Sequence, residues 1–469
     1  MMGPEEPEKP SIPIRGWLWF RDIPSKLLAK LHEVARQAIK VAKDDPRRLI
    51  HSLKVGLTVT LVSLLYYLRP LYNNFGASAM WAVMTVVVVF EFSVGGTIGK
   101  CLNRGLATLA AAALAIGAHH LAILIGKKCE PYLIGVFVFI QAVAMTFVRF
   151  FPKVKAKYDY GMLIFVMTFS LVSISGLRMN EVLELAQARL VTILIGASTC
   201  LAVCILICPV WAGEDLHRYV AQNISQLGNF LEGHTDQCFK TSCDAWIEIT
   251  KPSVVNLNSI LVDSKGREET LANLAGWEPG HGQFMYRHPW KQYLKIGNLT
   301  RQCACRLEAI NGCFNSNFQA PPEIQCTIEV AFSESGKALK ELAWAVETMT
   351  KPSSANPHIA NLKIASRNLK SILKSGVWGE GSDILQIIPV AAAMIDTVSS
   401  VEQICVAVNE LSFMAKFKSR NGSGVEGESE IGHDKSCIEI GMAEIPSLSV
   451  AIDGGIEISA EAEEQILMV

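Results

Sequence analysis

Six long apolar stretches in the first half of the sequence constrain the fold more than any other feature. Each is close to the roughly 17–25 residues that a helix needs to cross a bilayer. They occupy residues 50–68, 75–92, 102–123, 131–150, 160–176 and 189–210. The stretches are continuous rather than alternating, and only helices or closed barrels satisfy the backbone hydrogen bonds in lipid. We therefore predict six transmembrane helices.

The distribution of basic residues predicts the orientation of these helices, because cytosolic loops carry an excess of Lys and Arg. With the N-terminus inside, the cytosolic side holds Lys40, Lys43, Arg47, Arg48, Lys100, Arg104, Arg149, Lys153, Lys155 and Lys157. The outer side holds Arg69, Lys127, Lys128, Arg178 and Arg189. An even number of spans then places both termini in the cytosol.

The rest of the chain divides into soluble regions around a predicted transmembrane domain at residues 49–211. Residues 1–48 are predicted to be a cytosolic N-terminal region with a basic amphipathic helix, which suits either the membrane surface or packing on the protein. Residues 212–416 carry helical patterns separated by Pro- and Gly-rich breaks, which predicts a helical cytosolic domain. Residues 417–469 are rich in Gly, Ser and Glu with little periodicity, which predicts a disordered tail. The predicted fold class is all-α.

Charged residues within the apolar stretches are informative because a charge in lipid is expensive and usually has a role. Lys54 lies one turn inside the first span, and Glu91 lies at the inner end of the second. The two spans are antiparallel, so both side chains are expected at a similar depth and can form an ion pair. Two interpretations stay open: the pair holds the helices together, or it gates the inner mouth of a pore.

Three further basic residues point to a polar path. Lys100 and Arg104 are four residues apart and share one helix face, and Arg149 is expected at a similar depth on the fourth span. Each alone could extend towards lipid headgroups. The three together favour a path for anions, since rings of Lys or Arg select anions.

The sequence offers no signature of an enzyme, a cofactor site or a metal site. It contains no Walker A loop, and its 13 cysteines form no CxxC pair. Cys200, Cys204 and Cys208 repeat at every fourth residue, but no His or carboxylate accompanies them. We interpret them, with Gly196, as small packing residues that let membrane helices approach closely. We expect membrane lipids as partners and no nucleic acid.

Several motifs resemble those of the plant aluminium-activated malate transporter family. They lie at Asp45–Arg48, Trp81–Gly95, Lys100–Gly105, Phe147–Pro152, Tyr158–Gly161, Cys208–His217 and Trp277–Pro279. The resemblance covers residues 40 to about 416. It implies a homodimeric anion channel that passes malate and other anions, with six membrane helices per subunit, a helical cytosolic domain and a positively charged pore. It assigns Lys54, Glu91, Lys100, Arg104 and Arg149 to that pore.

The resemblance does not by itself imply activation by aluminium. Hard trivalent cations need several oxygen ligands, preferably charged, and the last outer loop offers only Glu181 and Glu184 as a possible outer cation site. Two alternatives to a channel are a secondary carrier that exports organic or aromatic acids and a signalling protein with a membrane anchor. Charged residues within six spans argue against a mere anchor. We expect the protein to lie in the plasma membrane rather than in the vacuolar membrane.

Overall fold

The computed structural model describes residues 30–64, 80–126, 128–176, 182–239, 257–314, 321–375 and 384–419, apart from Leu31 and Asn258. Every regular element in these ranges is a helix, which confirms the predicted all-α class. The predicted disordered tail lies almost entirely outside the described residues. Of the predicted N-terminal amphipathic helix, residues 32–44 are helical and largely exposed, and the preceding residues fall outside the description.

After this N-terminal helix, six further helices form the first half of the described chain. They are α1 (Pro46–Ser63), α2 (Met80–Val89), α3 (Val94–Ile125), α4 (Glu130–Val148), α5 (Pro152–Gly176) and α6 (Val182–Leu206). The last four contain stretches long and apolar enough to cross a membrane. Helix α2 is apolar but covers 10 residues, and residues 65–79 before it lie outside the described part of the chain. The count of six spans therefore remains a prediction.

Helix α3 begins eight residues earlier than predicted, at Val94 instead of Leu102. The Ser93 hydroxyl caps it by accepting a hydrogen bond from the Gly96 amide at 3.2 Å. The apolar pattern misses this start because glycines and Lys100 interrupt it. Helix α6 ends earlier than predicted, at Leu206, because Pro209 cannot continue a helix. Cys208 is therefore exposed beyond the helix, and its interpretation as a helix-packing residue was wrong.

The second half forms a helical domain around one continuous apolar core. Its helices are α7 (Ala212–Phe239), α8 (Ser264–Ala275), α9 (Trp290–Phe314), α10 (Pro322–Glu347), α11 (Asn356–Ser375) and α12 (Ile384–Met414). Part of α12, Ile387–Met414, is apolar enough to span a membrane. Its buried residues, including Val390, Met394 and Leu411, belong to the core of this domain instead.

A buried carboxylate caps the first helix of this domain. Glu278 accepts hydrogen bonds from the backbone amides of Ala212 at 2.6 Å and Gly213 at 3.0 Å. These amides open α7, where the helix dipole favours a negative charge. Burial raises the pKa of Glu278, and the amide hydrogen bonds act in the opposite direction. The Trp277–Pro279 motif thus has a structural role at the start of α7.

The same motif contacts the beginning of α3 and α5. A Cβ atom at Gly95 would collide with the Leu274 carbonyl and the Glu278 side chain, and one at Gly99 would lie 3.0 Å from the Trp277 ring. The Lys157 ammonium lies 4.7 Å from a ring centroid of Trp277, a cation–π contact. We call this side of the N-terminal helices, where residues 91–94, 149–152 and 208–212 lie, the junction end. The opposite side, with residues 125, 126, 128–130 and 182, is the far end.

Gly95→Ala should weaken the attachment of the C-terminal domain, because its methyl group has no space against the Leu274 carbonyl. We expect a loss of about 1–3 kcal/mol, measured by thermal unfolding of the purified protein in detergent. Gly105→Ala on the same helix is the matched control, since nothing lies within 4 Å of its Cβ position. That variant should be neutral or slightly stabilised. Equal midpoints for the two variants would contradict the close packing at the junction end.

A chain of buried hydrogen bonds in the C-terminal domain joins two histidines. His217 lies 3.3 Å from the Glu347 carbonyl through Nε2 and 2.9 Å from the Tyr293 hydroxyl through Nδ1. The carbonyl can only accept, so Nε2 of neutral His217 carries the proton and Tyr293 donates to Nδ1. The Tyr293 oxygen then accepts from His288 Nε2 at 3.2 Å. Burial, reinforced by His217 and His281, lowers the pKa of His288 to about 4.

This depressed pKa predicts loss of stability in acid. Between pH 6.5 and about 4 the unfolded chain binds more protons at this site than the folded chain, so stability falls as pH falls. The unfolding midpoint of the wild type should therefore drop between pH 7 and pH 5, and His288→Gln should reduce that drop. His32→Gln, at an exposed helical position, should keep the wild-type pH profile. Parallel profiles for wild type and His288→Gln would contradict the prediction.

Candidate functional site

Arg104 is a buried charge without a carboxylate partner among the described transmembrane residues. Its side chain is 3% exposed, and its Nη1 donates to the Tyr160 hydroxyl at 3.1 Å. Its Nε has no hydrogen-bond partner, and no carboxylate forms an ion pair with it in the described part of the chain. A guanidinium does not lose its proton in a protein, so a positive charge stays buried here without a fixed counter-charge.

Lys100 lies one turn closer to the junction end and is neutralised. Its ammonium forms an ion pair with the Glu91 carboxylate and lies 5.5 Å from the ring centroid of Tyr160. Because Arg104 also contacts Tyr160, the structure brings the two predicted residues together on one side of α3. Only one of them lacks a carboxylate partner.

The predicted ion pair between Lys54 and Glu91 is not formed. Lys54 is 3% exposed and donates to the Cys208 carbonyl at 2.9 Å, while Glu91 pairs with Lys100. The physical reason is that α2 ends at Val89, so Glu91 lies in the turn that leads into α3 and reaches that helix instead of α1. The ammonium of Lys54 is therefore a second buried cation with a backbone carbonyl as its hydrogen-bond partner.

Arg149 is held by a carboxylate that sequence reasoning missed. Its Nε and Nη2 donate to the two oxygens of Asp159 at 2.7 and 3.1 Å, a bidentate pair. Asp159 follows Arg149 by ten residues, across the turn between α4 and α5. The sequence signal for this ion pair was a tight turn followed by an acidic residue in the next helix. The structure places Arg149 at the junction end but does not bring it into contact with Arg104.

A third buried cation lies towards the far end. Arg189 is 8% exposed, and its guanidinium lies 4.4 Å from a ring centroid of Trp81, a favourable cation–π geometry. Sequence reasoning treated Arg189 only as an orientation signal. Of the predicted outer cation site, Glu181 and the side chain of Glu184 lie outside the described residues.

The remaining small residues of α6 support helix packing. A Cβ atom at Gly196 would lie 2.8 Å from the Ala82 carbonyl, and Cys200 and Cys204 are buried. The thiol of Cys204 lies 3.6 Å from the Thr97 hydroxyl. Gly196, Cys200 and Cys204 thus pack within the described chain.

The sequence is similar to that of known proteins over most of its length. The family described as "Aluminium activated malate transporter" matches residues 39–378. The chain belongs to this family. The assignment predicted from the motifs is therefore confirmed.

Named members of the family are similar over most of the chain. Aluminum-activated malate transporter 2 of Arabidopsis thaliana is 47% identical over 413 residues, which cover 86% of this chain and 82% of the relative. Aluminum-activated malate transporter 1 of Arabidopsis thaliana is 46% identical, over 84% and 82% of the two chains. Aluminum-activated malate transporter 1 of Triticum aestivum is 44% identical, over 82% and 86%. Family membership and several long apolar helices identify a membrane protein of a transporter family.

Proposed function

We propose that this protein is a malate-permeable anion channel, which conducts organic and inorganic anions passively across a plant membrane. Two kinds of observation support this function. Similar proteins are named malate transporters. In addition, the buried charges of the transmembrane helices that have no fixed counter-charge within the described residues are all positive.

The isolated charge of Arg104 carries the proposal. Burying a cation without a carboxylate is costly, and the Tyr160 hydroxyl supplies only a neutral acceptor. A permeating anion compensates the charge without a permanent partner, and an oxyanion can accept from the Nε that has no partner in the structure. A divalent anion such as malate gains about twice the Coulomb attraction of chloride at the same distance.

The other predicted pore residues take different roles in the proposed path. Lys54 and Arg189 add buried positive charge near the junction end and the far end. Lys100 with Glu91 and Arg149 with Asp159 form ion pairs at the junction end, where they limit the positive potential. We assign them to the rim of the path and Arg104 to its interior.

The partners of the acidic residues favour a channel over a proton-coupled carrier. Carriers of that kind use intramembrane carboxylates or histidines as proton relays. In the described helices and turns, Glu91 and Asp159 are paired with basic residues. Glu130 and His119, 3.5 Å apart, lie near the far end, where a carboxylate and a histidine do not form a relay across the membrane. We therefore infer passive conduction, and single-channel current steps are the observation that separates a channel from a saturable carrier.

Arg104→Gln should lower the permeability ratio of malate over chloride more than the double variant Lys100→Gln with Glu91→Gln does. At about 4 Å and an effective dielectric constant near 20, one unit charge attracts a second by about 4 kcal/mol. Even a third of this corresponds to a roughly tenfold change in the ratio. The double variant Lys100→Gln with Glu91→Gln is the matched control, because it removes the ion pair and leaves the net charge unchanged. Reversal potentials in malate and chloride solutions measure the ratio.

Surface expression of both variants must equal that of the wild type for this comparison. An Arg104→Gln channel with the wild-type permeability ratio would remove Arg104 from the conduction path. A wild-type protein that carries saturable malate flux without current steps would favour the carrier.

We further propose a homodimer with both termini in the cytosol, located in the plasma membrane. The dimer and the location rest on the family resemblance, and the orientation rests on the basic residues of the predicted inner loops. Gly196, Cys200 and Cys204 of α6 pack against other helices of the same chain, which argues against this face of α6 as the dimer interface.

Epitope tags at the two ends test the orientation. With protease added outside intact cells, both tags should survive because both are enclosed by the membrane. An additional tag inserted between residues 69 and 74, in the predicted first outer loop, should be cleaved and serves as the positive control. Cleavage of either terminal tag in intact cells would overturn the proposed topology.

A further inference from the structure

Three buried polar side chains between α3, α4 and α5 lack hydrogen-bond partners. Thr108, Gln141 and Ser173 are 1%, 6% and 2% exposed. The hydroxyls of Thr108 and Ser173 and both amide atoms of Gln141 have no partner in the described part of the chain. Polar groups inside a membrane domain normally form hydrogen bonds within the protein, so the lack of partners at these three residues needs an explanation.

Thr108 differs from three threonines of α1 and α2. The hydroxyls of Thr58, Thr60 and Thr85 each donate to the carbonyl four residues earlier, at 2.7–2.9 Å. This back-bonding is the usual way in which a threonine satisfies itself within a helix. The Thr108 hydroxyl does not use it, and therefore remains available to a group outside its own helix.

An apolar cluster fixes the relative positions of these residues. It contains Ala111 and Ala115 of α3 together with Phe169 and Val172 of α5, and Phe137 and Val138 of α4 pack against it. Ile134 and Gln141 are buried on α4 and are seven residues apart, so they share one face. The face of α4 that carries Gln141 is thus the face that meets α3 and α5.

The chain directions then place Thr108 and Gln141 on the same side of this cluster. Helix α3 runs away from the junction end, so Thr108 precedes Ala111 on the junction side. Helix α4 runs towards the junction end, so Gln141 follows Val138 on that same side. Arg104 lies one further turn towards the junction end on the buried stripe of α3. Ser173 and His119 lie on the opposite side, nearer the far end.

We propose that Gln141, Thr108 and Arg104 form a binding site for a carboxylate group inside the α3–α4–α5 interior of one subunit. The Gln141 amide nitrogen, the Thr108 hydroxyl and Arg104 Nε supply donors that are not used elsewhere, and the guanidinium supplies the charge. A carboxylate accepts hydrogen bonds at two oxygens and matches such a set. The apolar cluster closes the site towards the far end. This inference rests on the proposed function and names further residues for it.

Gln141→Leu tests the site, because leucine approximates the size of glutamine and removes its hydrogen-bonding atoms. The permeability ratio of malate over chloride should fall by about tenfold, which is about 1.4 kcal/mol. Thr146→Val is the matched control, since Thr146 is exposed on another part of the same helix. It should keep the wild-type ratio. Thr108→Val, which keeps the shape of threonine, provides an independent second variant and should lower the ratio in the same direction.

A purely structural role for these side chains predicts a different result. Replacing unpartnered polar atoms by an apolar side chain would then raise the thermal unfolding midpoint and leave the permeability ratio unchanged. That result for both Gln141→Leu and Thr108→Val, in a wild type that conducts malate, would overturn the binding site alone. A wild-type protein that passes no malate would overturn the proposed function, and the site with it.

Discussion

The cost of placing charge in a low-dielectric interior governs the arrangement of the transmembrane helices. Lys54, Arg104 and Arg189 are buried, and their contacts are a backbone carbonyl, a tyrosine hydroxyl and a tryptophan ring. Neutral contacts of this kind orient a cation without cancelling its charge. Each of the three therefore leaves a positive potential in the surrounding interior, and this potential favours anions over cations wherever a path is hydrated.

The junction end links this charge arrangement to the C-terminal domain. Glu278 binds the start of α7, Trp277 packs on Gly99, and Gly99 directly precedes Lys100. Glu91, the partner of Lys100, is held to the start of α3, because its backbone amide donates a hydrogen bond to the Thr97 hydroxyl at 3.1 Å. A displacement of the Trp277–Pro279 motif thus has to move the first turns of α3 and the ion pair on them. The packing gives the C-terminal domain a direct mechanical contact with the rim of the proposed path.

The sequence predicts which residues lie at this site better than it predicts which of them form ion pairs. The length of the continuous apolar stretches predicts the all-α class. The four-residue spacing of Lys100 and Arg104 predicts that they share one side of α3. Both predictions hold because they depend only on local helix geometry. The pairing depends on where helices end. Glu91 pairs with Lys100 because α2 stops at Val89, and Asp159 reaches Arg149 because the turn before α5 is short. Gln141 carries no charge, and its burial depends on the packing of three helices, so periodicity alone could not reveal it.

The combination of one deep cation with neutral donors also suits rapid conduction. An ion must bind well enough to enter a path and weakly enough to leave it. Two unpartnered cations close together would hold a dicarboxylate strongly. Here Lys100 lies about 6 Å along α3 from Arg104, at a rise of about 1.5 Å per residue, and its charge is balanced by Glu91. The amide of Gln141 and the hydroxyl of Thr108 can then orient a carboxylate beside Arg104 without adding formal charge. In the proposed path, charge selects for anions, and the neutral donors select among anions by shape.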